Sequence, residues 1–146
     1  MRIAIGADHG GFGLKAKIVK YLKSKGHEVK DFGCFSAESC DYPKFGYAVA
    51  DAVSKRKFPR GVLICKSGIG MSIVANKSRG VRAALVSDIE GARSSREHND
   101  ANVIVFSARA TNIFKAKRML DVWFSTRRAG GRHLRRVRQI SDLEAI

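Results

Sequence analysis

The chain has 146 residues, enough for one domain with a single core, and 45% of them are hydrophobic, which excludes a disordered tail. Its 28 lysines and arginines against 13 acids give a formal charge of +15, which favours an anionic partner such as a phosphorylated metabolite or nucleic acid. No stretch approaches the roughly 18–20 apolar residues of a membrane span. "MRIAIGADHGG" has an apolar run of about five residues, too short for a signal peptide. The expectation is a soluble, cytoplasmic protein with no membrane partner.

Residues 2–7, "RIAIGA", open the chain as a strand. The helix "GFGLKAKIVKYLKSKG" follows, with Leu14, Ile18, Tyr21 and Leu22 in one apolar stripe, lysines over the other face, and Gly26 as its stop. Residues 28–32 form the second strand, and Pro43 opens the helix "PKFGYAVADAVSK". Residues 61–65, "GVLIC", lead into the helix "GMSIVANKS". Residues 82–86 lead into "DIEGARSSREHN", and residues 102–106 into "TNIFKAKRMLDVWFSTRR". A tail helix begins after Gly130 and Gly131.

Three of these strands are nearly continuous apolar runs, as strands buried on both faces are. Five strand–helix alternations predict a three-layer α/β/α sandwich on a five-stranded parallel sheet, with residues 1–146 as one domain. Ligands of such sheets sit at the carboxyl ends of the strands. Asp8 and His9, then Cys65 to Gly70, Ser87 and Asp88, and Ser107 to Arg109 fall on that rim.

Cys65 ends an apolar run directly before "KSGIG". The end of a core strand is an ordinary place for a buried cysteine. The same place, at the start of a helix, favours a thiolate. Small residues in the loop admit an anionic ligand, but no phosphate-loop or dinucleotide pattern is present. The other cysteines, Cys34 and Cys40, lack this setting and read as structural. With an odd number of cysteines and no C-x-x-C pair, neither a disulfide framework nor a metal site is signalled. Arg132 and Arg136 stand four apart on one helix face, a spacing that suits a phosphate group. The rival reading is binding of a nucleic-acid backbone, but the arginine run has no interleaved aromatics.

"GADHGGFGLK", "DYP", "ICKSGIGMSIVANKSRGVRAALV", "SREHNDANVIVFSAR" and "GGRHLRRV" together resemble the ribose-5-phosphate isomerase B family and its relatives, the galactose-6-phosphate isomerase subunits. The resemblance spans essentially the whole chain. It implies a Rossmann-like sheet in the order 2-1-3-5-4 and an aldose–ketose isomerase that needs no metal or cofactor. It implies that Cys65 is the base and that His98 donates a proton and opens the sugar ring. Asp8, His9, Lys66, Ser67, Gly68, Ile69, Gly70 and Asn99 then bind substrate, and Arg109, Arg132 and Arg136 hold its phosphate. Loop N–H groups from Gly68 to Ser72 would stabilise an anionic enediolate. The expected assembly is a homodimer or tetramer with sites built from two chains and the C-terminal helix reaching a partner. Some relatives use a glutamate at the position of Ser72 instead of the cysteine. Lys66 and Ser67 stand where close relatives often have glycine and threonine. The expected substrate is ribose 5-phosphate, in the non-oxidative pentose phosphate pathway, with a six-carbon sugar phosphate as the alternative.

Overall fold

A computed structural model describes residues 1–146. The elements alternate in chain order as β1 (Arg2–Ala7), α1 (Phe12–Ser24), β2 (Glu28–Asp31), α2 (Tyr42–Ser54), β3 (Arg60–Cys65), α3 (Ile69–Ala75), β4 (Ala83–Leu85), α4 (Ile89–Glu97), β5 (Val103–Ser107), α5 (Ile113–Ser125) and α6 (Gly131–Leu143). All strand pairs are parallel, and the sheet order is β2-β1-β3-β5-β4, as the resemblance implied.

The central strands are apolar on both faces, so each face carries its own core. Ile3, Ile5, Val62, Ile64, Ile104 and Phe106 point toward α1, α4 and α5, where Trp123 is fully buried. Ala4, Leu63, Cys65, Val103 and Val105 point the other way, onto α2 and α3. The period of two along each strand separates the two sets. It aims the Cys65 side chain at the α2–α3 layer. No helix is long and apolar enough to cross a membrane.

Element ends moved where side chains took over backbone bonds. β4 is shorter than expected because the Arg82 N–H is held by the Asn102 side chain (2.8 Å) and its guanidinium by Asp100. α3 stops at Ala75 because Asn76 folds back, donating to Ser72 and Ala83 and accepting from the Ala83 N–H. α4 starts at Ile89, with Asp88 accepting from the Gly91 N–H as its cap. α2 begins at Tyr42, one residue ahead of Pro43.

One expectation for α1 fails. Lysines were to cover its outer face, yet Lys15 is 1% exposed. Its Nζ donates to both carboxylate oxygens of Asp31 (2.7 Å each) and to the Cys34 carbonyl. A buried ammonium is tolerated only when paired in this way. The pair ties α1 to the end of β2 and to the loop that follows it.

Candidate active site

The carboxyl edge of the sheet gathers one group of the expected residues. Cys65 is the last residue of β3, pairs in register with Ser107 of β5, and is 4% exposed. Its sulfur accepts a hydrogen bond from the Gly68 N–H at 3.1 Å. Gly68 has a left-handed backbone (φ 77°), and a Cβ there would clash with the Leu85 side chain and crowd the Phe106 carbonyl at 3.2 Å. Only glycine fits both conditions. The loop is fixed from its other side as well. The Lys66 carbonyl accepts from the Ser107 hydroxyl (2.9 Å) and the Arg109 N–H (3.1 Å), which brings Arg109 beside the loop.

Not all the expected loop donors point at a ligand. Ser67 Oγ accepts from the Ile69 N–H (3.2 Å), and the Ser72 N–H donates to the Gly68 carbonyl (3.1 Å). With Gly68 engaged by Cys65, the donors left for an anion are those of Gly70 and Met71. Both lie in the first turn of α3, where a helix leaves N–H groups without an intrahelical partner.

Asp8 and His9 follow β1 on the same edge. Asp8 is buried, and its Oδ1 accepts from the Gly11 N–H (3.0 Å), which shapes the turn into α1. His9 Nδ1 accepts from the Cys40 N–H (3.2 Å). That bond places the proton of a neutral ring on Nε2, away from Cys40. Cys40, read as structural from sequence, thus orients His9, and its sulfur lies 3.8 Å from the same nitrogen. Sequence reasoning also missed Tyr42, whose ring packs over Gly70 so closely that a Cβ there would meet it at 2.6 Å. Its signal was the "DYP" triplet, which gave a likeness but no role.

The remaining expected residues gather at the opposite edge. His98 is the C-cap of α4 and stacks on His133, with ring centroids 4.3 Å apart and planes at 10°. Arg132 and Arg136 lie on α6, exposed and one turn apart. The Ala129 N–H donates to the Glu97 carbonyl (2.8 Å) and docks the approach to α6 against the end of α4. Desolvation, followed by His98, Arg132 and Arg136, holds the His133 pKa below its ordinary value. Asn99 is exposed and lines a cavity of about 520 Å³ between the β4 edge and α6, together with Ile140 and Leu143.

A thiol and a glycine loop at the carboxyl edge of a parallel sheet, with an arginine–histidine group at the other edge, define an α/β enzyme that handles a small anionic substrate. The Ribose/Galactose Isomerase family model matches residues 3–140, and the chain belongs to that family. It is 44% identical over 143 residues to ribose-5-phosphate isomerase B of Escherichia coli, covering 98% of this chain and 96% of that one. It is 42% identical over 127 residues to galactose-6-phosphate isomerase subunit LacB of Clostridium acetobutylicum, covering 87% and 73%. The solved structure of Clostridium thermocellum ribose-5-phosphate isomerase B matches with a TM-score of 0.97 at 46% identity over 99% and 98% of the two chains.

Proposed function

We propose that this chain interconverts ribose 5-phosphate and ribulose 5-phosphate through an enediolate, with Cys65 as the base. The observation that carries this reading is the Cys65 sulfur, fixed by the Gly68 N–H at the mouth of the α3 loop. The thiolate takes the C2 proton of the open-chain aldose, and the electron pair moves into the enediolate. The same group returns the proton to C1 while the proton of the C2 hydroxyl passes to the C1 oxygen, which gives the ketose. The Gly70 and Met71 N–H groups hold the developing oxyanion. His98 and Asp8 exchange protons with the ring oxygen and the anomeric hydroxyl to open the ring. Arg109, Arg132 and Arg136 grip the phosphate and position the carbon chain.

Two ends of one chain cannot serve one small sugar, so a second copy completes each site. Ile69, Ile73 and Leu85 are exposed around the Cys65 loop and the β4 edge, and Ile140 and Leu143 are exposed on α6. A two-fold dimer would cover these apolar groups. It would bring the His98–Arg132–Arg136 end of one chain to the Cys65 loop of the other.

A six-carbon substrate is the second reading, favoured by the 42% identity to the LacB subunit. Steady-state assays on ribose 5-phosphate beside allose 6-phosphate and galactose 6-phosphate test the choice. The five-carbon reading expects the highest kcat/KM on ribose 5-phosphate. A higher value on either six-carbon sugar overturns it.

A further inference from the structure

At the amino edge of the sheet stands a set of guanidinium groups that the proposed reaction does not use. Arg82 donates to Asp100 through Nη2 (3.1 Å) and Arg96 through Nη1 (2.8 Å), and Arg128 lies 3.8 Å from the same carboxylate. One acid is therefore shared by three arginines. Arg60, the first residue of β3, has no carboxylate and donates to the Pro59 carbonyl (2.8 Å). Burial and the charges of Arg96 and Arg82 depress its pKa, with Asp100 only partly opposing them. Arg60 and Arg82 are partly buried, and guanidinium groups so placed with so little opposing charge favour an anion beside them, within reach of the exposed Arg56 and Arg79.

The backbone supplies an independent observation. Arg56 follows Lys55, the C-cap of α2, with a left-handed backbone (φ 56°). The matching place after α1 is held by Gly26 (φ 83°). Glycine is the usual residue there because a Cβ is disfavoured in that conformation. Strain accepted at one position in exchange for a particular side chain points to a use for that side chain. Arg56 lines two adjoining cavities of about 350 and 500 Å³, and Arg82 lines both with it. Arg60 lines the first and Arg79 the second, and the acids present are Asp100 in the first and Glu144 in the second.

We propose that these two cavities form one binding site for a small molecule bearing two or more phosphate groups, held by Arg56, Arg60, Arg79 and Arg82. The volumes suit a small molecule rather than a flat membrane or a duplex. Four guanidinium groups spread over two cavities match several linked phosphates better than a single one. None of Cys65, His98, Arg109, Arg132 or Arg136 lines either cavity, so this site and the isomerase reading can fail separately.

Equilibrium dialysis with inorganic tripolyphosphate tests the site at about 0.15 M salt, where long-range attraction is screened. The parent protein carries Arg109→Ala, Arg132→Ala and Arg136→Ala, which removes the proposed sugar-phosphate grip. The expected result is one tripolyphosphate per chain, with affinity at least about tenfold weaker in Arg56→Gly and in Arg60→Gln. Glycine at position 56 relieves the backbone strain, so loss of binding there is not a folding defect. Lys20→Gln, on the exposed face of α1, removes one charge elsewhere and should bind like the parent. The proposal is overturned if the parent does not bind, if Arg56→Gly and Arg60→Gln bind as tightly as the parent, or if Lys20→Gln loses as much as they do.

Discussion

Cys65 and His98 lie at opposite ends of the sheet within one chain. Cys65 closes β3 at the carboxyl edge, in register with Ser107, whereas His98 ends α4 and precedes the start of β5 at Val103. The proposed assignment of Cys65 as base and His98 as proton donor for one small sugar therefore requires them to come from different copies. Mixing inactive Cys65→Ala with inactive His98→Ala should restore activity once subunits exchange. Half of the dimers formed by random exchange are mixed, and one of the two sites in each is intact, so recovery should approach about one quarter of the parent rate. Mixed dimers verified by mass spectrometry yet inactive would contradict the shared site.

Arg136 faces solvent on α6, one turn from Arg132. A charge-assisted hydrogen bond to phosphate contributes about 1.5–3 kcal/mol. Arg136→Ala should then lower kcat/KM by about one to two powers of ten, at roughly 1.4 kcal/mol per tenfold. An unchanged kcat/KM would return Arg136 to the class of solvated surface charges.

His133 gives a pH signature. Its pKa lies below the ordinary 6.5 because of desolvation, with His98, Arg132 and Arg136 adding to the effect. The unfolded chain therefore takes up this proton first as pH falls. The stability tied to His133 is present above its unfolded value and is lost as pH drops below it. Following the ring by NMR should show a midpoint below that of a free histidine. Arg132→Ala with Arg136→Ala should raise that midpoint part of the way, since desolvation remains. A midpoint that does not move would show that the arginines do not act on it.

The Lys15–Asp31 pair should respond asymmetrically. Lys15 is sealed from water, while the Asp31 side chain is 31% exposed. Asp31→Asn leaves a buried ammonium without its counter-charge and should cost about 2–3 kcal/mol, a value reduced for the partial exposure of the pair. Lys15→Met leaves a carboxylate that water can reach and should cost less. Urea denaturation of both variants checks the order, and equal losses would contradict it.

The strands were legible because β1, β3 and β5 are apolar on both faces and the chain alternates regularly between strand and helix. The position of Cys65 was legible for a related reason, at the end of an apolar run before a glycine loop. What the sequence hid depends on contacts between distant residues. Lys15 sits in a lysine-rich helix, and only Asp31, which comes from another element, shows why it is buried. Cys40 and His9 meet through two loops 31 residues apart. The placement of Cys65 and His98 at opposite edges was legible, because a helix between two parallel strands runs back against them and leaves its end at the amino edge. The trimmed ends of α3 and β4 reflect side-chain bonds of Asn76 and Asn102, which compete locally with the regular backbone pattern.

The base assignment is tested most directly by Cys65→Ala, with turnover of ribose 5-phosphate and binding of the sugar phosphate measured on the same preparation. A positioned acid–base group contributes about 10²–10⁴-fold to rate. Turnover should fall by that factor while the dissociation constant changes by less than about tenfold, because the phosphate contacts remain. Turnover within about tenfold of the parent would contradict Cys65 as the base.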